Sequence, residues 1–265
     1  MLMEPSLQPY PEARFASREP KRAASPPQTP MQNQLLAALP RKDYERLLPD
    51  LESVPLPPGW SIHGPGDREN YLYFPTSGIV SRFHVLENGA SAEFAVTGSE
   101  GVIGVASFLG GESTLGQAVV LSAGYAYRLR ADLLKKEFEH GGRLHDVLLR
   151  YTLALIVQIG QIAACKRHHS LEQRLCRWIL SCLDRLPSNE LTMTQELIAD
   201  MLGVRRESVT GMVGRLQDAG LIECGRRHIA VLDRPRLEAR ACECHAVVKR
   251  EYARLLRPEN AVEFT

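Results

Sequence analysis

An arginine followed by a glutamate, Arg206-Glu207, with Thr210 and Gly211 one helical turn further on, is a residue set that can read base-pair edges. Arginine offers two parallel donors that match guanine O6 and N7, and a carboxylate accepts from cytosine N4. Positions three and four apart are neighbours on a helix, so a helix presents these four residues together. Val209, Met212, Val213 and Leu216 fall on its opposite, apolar face. Thr194, Arg205, Arg215, Arg226 and Arg227 are placed to hold phosphates, which fixes register without reading sequence. The chemistry these residues suit is recognition of duplex DNA.

Local signals specify the elements that would carry them. Thr194 can cap a helix running through Leu197, Ile198, Met201 and Leu202, and Gly203 supplies a tight turn. A second helix runs from about Arg206 to Ala219 and is closed by Gly220. Two short strands follow, Leu221–Cys224 and His228–Leu232, around Gly225-Arg226-Arg227. The order is helix, turn, helix, wing. Upstream, Ser170-Leu171-Glu172-Gln173 is a capping box opening another helix, which Pro187-Ser188-Asn189 ends.

Before that the period is helical from Leu144. Leu144, Leu148, Tyr151, Leu155, Gln158, Ile162 and Cys165 step by alternating fours and threes, the a/d pattern of a dimer seam. Leu149, Leu153, Ile156 and Ile159 make the helix apolar on other sides as well, so it should be covered on more than one face. Between Leu51 and Arg130, short apolar runs alternate with Gly- and Pro-bearing turns. The runs Tyr71–Phe74, Ile79–Leu86, Ala92–Val96 and Ala118–Leu121 predict a sandwich or barrel, and Asn88-Gly89 predicts a type I′ hairpin turn. Short helices are expected from Asn33 to Leu39 and from Lys42 to Leu48.

The run from Thr194 to Thr210, TQELIADMLGVRRESVT, and that from Leu216 to Ile222, LQDAGLI, resemble the DNA-binding domain of the Crp/Fnr superfamily of transcription regulators. The resemblance extends over about residues 33 to 240. It implies an α+β fold: an N-terminal antiparallel, jelly-roll-like β-roll, a long dimerisation helix and a C-terminal winged helix-turn-helix. The implied domains are a disordered tail at 1–30, a cyclic-nucleotide-binding-like sensor at 31–140, dimerisation helix and hinge at 141–169, the DNA-binding domain at 170–240 and a C-terminal helix and tail at 241–265. In the family, Arg206 and Glu207 occupy base-reading positions. Two departures stand out: Gly211 replaces the usual third reader, an arginine, and Arg205 stands where Ser or Thr usually caps the recognition helix.

The resemblance also implies an effector pocket, in a degenerate form. The family's cassette is a Gly-Glu-Leu turn followed by Arg-Ser/Thr-Ala. Here the turn reads Gly104-Val105-Ala106 and the later segment Gly116-Gln117-Ala118. Val105 cannot accept from a ribose hydroxyl, and no Lys or Arg lies between Arg82 and Arg128. A buried phosphate needs a cation or a dense set of amides. Cyclic AMP in the usual mode is therefore not expected, and any small-molecule effector is left unnamed.

No cysteine precedes Cys165, which excludes the family's N-terminal iron–sulfur cluster in its known form. Cys165 with His168 and His169 forms one incomplete metal-ligand set, and Cys242, Cys244 and His245 form another. Buried inert thiols, including Cys176 and Cys182, are the plainer reading, so no metal and no cofactor is assigned. No Walker A loop, Gly-x-Ser-x-Gly elbow or His-Glu-x-x-His is present, so no enzyme is expected.

Charge agrees with this division. Residues 31–165 carry 11 Lys/Arg and 14 Asp/Glu, while residues 166–257 carry 17 and 12, which makes the C-terminal part the basic one. No unbroken run of apolar residues is long enough to span a membrane, and the N-terminus lacks a signal-peptide core, which points to the cytoplasm. The expected function is a homodimeric, sequence-specific regulator on a two-fold symmetric DNA site, with RNA polymerase as a further partner and no membrane. The rivals are a ligand-independent regulator whose β-roll is a scaffold, and an adaptor whose winged helix binds protein.

Overall fold

The computed structural model describes residues 29–111 and 113–256, so all but the last two residues of the expected N-terminal tail lie outside the described residues. Helices α1 (Gln34–Ala37) and α2 (Arg41–Leu47) precede seven strands: β1 (Glu52–Leu56), β2 (Ser61–His63), β3 (Tyr71–Pro75), β4 (Ile79–Val85), β5 (Ser91–Thr97), β6 (Gln117–Ser122) and β7 (Gly124–Arg130). They form two antiparallel sheets, ordered β1-β7-β3 and β2-β6-β4-β5. Next come α3 (Ala131–Glu139) and the long α4 (Arg143–His168). The C-terminal part holds α5 (Leu171–Leu183), β8 (Glu190–Leu191), α6 (Gln195–Leu202), α7 (Arg206–Asp218), β9 (Ile222–Gly225), β10 (His228–Val231), α8 (Arg234–Arg240) and α9 (Cys244–Leu255). Strands β8-β10-β9 make the wing sheet. The fold is α+β: β-roll, long helix, winged helix-turn-helix.

Alternation along β6 explains how the layers stack. Ala118 and Val120 face the interior of the roll with Val54, Tyr73, Val80 and Ala126. Val119 and Leu121 face the other way and join Trp178, Ile198, Met201 and Val213 in a second core. With both faces covered, β6 has no polar side to show water, which is why its sequence reads as a continuous apolar run. The winged helix-turn-helix is thus packed directly on the second sheet.

The Asn88-Gly89 hairpin forms, with a different turn. Among the described residues no non-glycine has positive φ, so the type I′ conformation, which needs positive φ at Asn88 as well as Gly89, is absent. Gly89 at φ 78° instead ends a turn closed from its own N–H to the Leu86 carbonyl (2.8 Å), and Leu86 N–H donates back to Ala90 (2.8 Å). This is a longer loop with glycine in the left-handed position.

Helix α4 corrects the seam assignment. Leu144, Leu148, Tyr151, Leu155, Gln158, Ile162 and Cys165 are all buried within this one chain. Tertiary hydrogen bonds decide the orientation: the Tyr151 hydroxyl donates to the Val102 carbonyl (2.9 Å) and Gln158 Nε2 to the Val96 carbonyl (3.2 Å). A residue covered by its own chain has no surface left for a partner. The face left open carries Leu149 (42 % exposed), Leu153 (45 %) and Ile156 (58 %), continued by Gly160, Ala163 and Arg167. These residues also step by fours and threes. With both faces apolar, α4 is the one described helix long and apolar enough on average to pass for a membrane span, although it holds no unbroken apolar run of that length.

A buried carboxylate ties the roll to the winged helix-turn-helix. Glu93 on β5 accepts from Ser81 Oγ (2.7 Å) and from Trp178 Nε1 on α5 (2.9 Å), and burial pushes its carboxyl up from the usual range. Ser91 Oγ donates to the Asp200 carbonyl of α6 (2.9 Å). Trp178→Phe should keep the packing, strand one oxygen of Glu93 and cost about 1–3 kcal/mol, measured by urea unfolding. Trp178→Phe with Glu93→Leu should recover part of that loss.

Candidate nucleic-acid interface

Thr194 caps α6, its side chain accepting from Leu197 N–H at 3.2 Å. Gly203 follows at φ 66° and ψ 45°, a left-handed turn that β-carbon-bearing residues avoid, and its N–H satisfies carbonyls at the end of α6. Helix α7 then buries Val209, Met212, Val213 and Leu216. Its exposed strip is Arg206, Glu207, Thr210, Gly211 and Gly214, with Arg215 at its border. Arg205 occupies the N-cap and makes no side-chain cap hydrogen bond. Arg226 and Arg227 lie exposed in the turn between β9 and β10.

The arginines of this face differ from those elsewhere. Arg185, Arg234 and Arg240 are each engaged by a carboxylate: Glu100 at 2.7 Å, Asp184, and Glu172 at 2.8 Å. No ion pair forms among the described residues at Arg205, Arg206, Arg215, Arg226 or Arg227. Five exposed guanidinium groups with no internal anion make a face ready for an external one.

Gln195 is a residue the sequence reading missed. The Thr210 hydroxyl donates to Gln195 Oε1 at 2.7 Å, and Gln195 Nε2 lies 3.6 Å from Cys224 Sγ on the wing. One side chain thereby ties α6, α7 and β9 together at the rim of the reading face. The available signal was its place immediately after the Thr194 cap.

An ideal Cβ at Gly211 meets nothing within 4 Å. Gly211→Arg should therefore fold normally, with stability unchanged or raised by up to about 1 kcal/mol, since glycine is a poor helix former. It should also add a base preference at one position per half-site. Thermal melting together with binding-site selection checks both.

The segments expected to form the cassette are engaged by the chain's own groups. Gly104, at φ 102°, opens a single helical turn over Val105–Ser107. The Ala106 amide donates to Glu69 Oε2 (2.9 Å), so an internal carboxylate sits where turn amides could meet an anion. Burial raises the Glu69 carboxyl, while the Ala106 and Ser107 amides and the Arg82 charge oppose that shift. Arg82 itself is buried, donating to Thr97 Oγ1 (2.9 Å) and the Tyr151 hydroxyl (3.3 Å). Gln117 donates to Ser61 Oγ (3.2 Å), and a Cβ at Gly116 would press on the Phe94 ring at 2.9 Å. Ala118 is in the roll core.

Two family models match the chain in order. A cyclic nucleotide-binding domain spans residues 53–140 and a Crp-like helix-turn-helix domain spans residues 173–240. The chain belongs to the Crp/Fnr superfamily of transcription regulators. A global nitrogen regulator of Synechococcus elongatus is 26% identical over 184 residues, covering 66% of this chain and 83% of that relative. Another, from Synechocystis, is 24% identical over 209 residues, covering 76% and 92%. Among solved structures, FixK2 from Bradyrhizobium japonicum superposes with a TM-score of 0.63 at 19% identity, covering 72% of this chain and 98% of its own. A Crp-family regulator from Thermus thermophilus gives 0.56 at 22%, covering 77% and 98%. Transcription regulators of this superfamily are not enzymes.

The sequence-level metal sets also change. His245 is not with the thiols: its Nε2 sits 2.8 Å from Asp184 Oδ2. His168 is exposed. Cys176 and Cys182 lie in the apolar core, where burial pushes the Cys176 thiol up to about 12 and the Cys182 thiol higher still, as expected of inert thiols. Cys165, His169, Cys242 and Cys244 come together instead.

Proposed function

We propose that this regulator is a homodimer that reads a two-fold symmetric DNA site through α7, with Arg206 and Glu207 as base readers. The observation that carries this reading is the exposed strip of α7, where Arg206 and the four arginines around it have no internal ion-pair partners among the described residues. Thr210 and Gly211 complete the base-facing strip, and Thr194, Arg205, Arg215, Arg226 and Arg227 grip phosphates. The partner copy packs on Leu149, Leu153 and Ile156, and the small residues Gly160 and Ala163 allow close approach of the helices. RNA polymerase is the further partner and the cytoplasm the compartment. Mobility shifts at two salt concentrations test the reading: affinity should fall steeply between about 50 and 200 mM salt as phosphate counterions are released. Salt-insensitive binding, or none, would favour the adaptor.

The same proposal holds cyclic AMP outside the usual mode of control. Glu69 on the turn amides, Val105 at the ribose-binding position and the engaged Arg82 support it. Addition of cyclic AMP should leave the melting temperature unchanged; a dose-dependent rise would defeat this part of the proposal.

A further inference from the structure

We propose that Cys165, His169, Cys242 and Cys244 form a mononuclear tetrahedral metal site of the zinc class, which clips the hinge end of α4 to the corner between α8 and α9. The four ligand atoms all lie within 4.8 Å of one another. Cys165 Sγ is 3.5 Å from Cys242 Sγ, and Cys244 Sγ is 3.4 Å from His169 Nδ1. A tetrahedral zinc ion with bonds of about 2.3 Å to sulfur and about 2.0 Å to nitrogen sets three sulfurs and one nitrogen roughly 3.5–3.8 Å apart. Little movement separates this cluster from that geometry.

The surroundings are those of a metal site. His169 presents Nδ1 to the cluster while Nε2 faces the Glu243 carboxylate at 3.3 Å, the carboxylate–histidine arrangement that orients a ligating ring. Gln161 Nε2 donates to Cys244 Sγ at 3.3 Å, which suits a thiolate. Three thiolates and a neutral imidazole around a dication leave a net charge of −1. Arg177 is only 5 % exposed, has no hydrogen-bond partner for Nε, and lies within charge–charge range of Cys165. The buried members of the site form a core cluster made of cysteine alone, with no aliphatic residue to account for it as hydrophobic packing.

The spacing selects among thiol chemistries. An iron–sulfur cluster divides its four ligands between two or more irons, so the set spreads farther than four ligands that share one ion. A disulfide between Cys165 and Cys242 would need closure to about 2.05 Å and an external oxidant. Binding one dication needs neither, since the three thiol protons leave to solvent as the ion enters. The site also sits where it would matter. His169 is the single residue between α4 and the Ser170 cap of α5, so an ion here fixes the angle between the long helix and the DNA-binding domain. Cys165 is separated from Cys242 by 77 residues, which hides the set from a reading by sequence spacing.

The test uses the full chain purified under reducing conditions without added chelator. Elemental analysis should find about one zinc per chain, and Cys244→Ser or His169→Ala should lower this to under about 0.1. Cys182→Ser, outside the site, should retain the metal. Titration of the metal-stripped wild type with cobalt(II) should give the intense visible absorption of a tetrahedral thiolate complex. That measurement stands even if the variants misfold. Folded wild type without metal that gives only the pale spectrum of hydrated cobalt would overturn the proposal. So would iron with acid-labile sulfide in place of zinc, or a metal-free chain two hydrogens lighter, the mark of a disulfide. All of these readouts are independent of DNA binding.

Discussion

Ile156→Glu is expected to dissociate the proposed dimer while leaving each chain folded, whereas Leu155→Glu, one residue away, is expected to unfold the chain. Ile156 is 58 % exposed and Leu155 4 %. A carboxylate at position 156 costs a free protomer almost nothing. In a two-fold seam it is counted twice and meets its symmetry mate across an apolar contact, a penalty of several kcal/mol. At position 155 the charge would enter the core shared by α4 and the β-roll, at about 3–5 kcal/mol or more, a large share of a domain's whole stability. Sedimentation should show monomeric Ile156→Glu with native circular dichroism, and its DNA affinity should fall because each half-site is then bound alone. A dimeric Ile156→Glu, or a folded monomeric Leu155→Glu, would return the interface to the buried face.

Arg206→Ala is the second large effect. The side chain has no internal partner, so its removal should leave stability within about 0.5 kcal/mol. The loss falls on binding: about 1–3 kcal/mol per half-site, with relaxed selection at one base pair in each. Arg226→Ala should weaken binding to all sequences alike and shallow the salt dependence by about one phosphate contact per protomer. The contrast between these variants separates base reading from phosphate grip, which a single affinity cannot do.

The winged helix-turn-helix was legible because its signals are local. The Thr194 cap, the left-handed Gly203 and the buried spacing of Val209, Met212, Val213 and Leu216 each act within one or two helical turns. The same holds for the capping box at Ser170, where Gln173 and Ser170 exchange hydrogen bonds as the spacing predicts. The orientation of α4 was not legible, because two faces carry heptad-like apolar spacing and periodicity ranks neither. Tyr151 and Gln158 break that tie through the Val102 and Val96 carbonyls, about 50–60 residues away in the chain.

The cassette and the thiol cluster show the same limit from opposite sides. The sequence reveals that Val105 and Gln117 lack the chemistry for a cyclic nucleotide. It does not reveal that Glu69 reaches the Ala106 amide from 37 residues away. Likewise, Cys165 and Cys242 each look like part of an incomplete ligand set until α9 folds back onto α4. The hairpin after β4 is a smaller case: Asn88-Gly89 locates the reversal, while the hydrogen bonds of Leu86 choose the longer loop.

Selection of binding sites from random duplex DNA tests the reading face of α7 most directly. Wild-type protein should enrich a two-fold symmetric motif whose half-sites lie about one helical turn, roughly 10 bp, apart, with a G·C pair in each half-site whose preference disappears in Arg206→Ala. No enriched motif, or the same motif from wild type and Arg206→Ala, would contradict it.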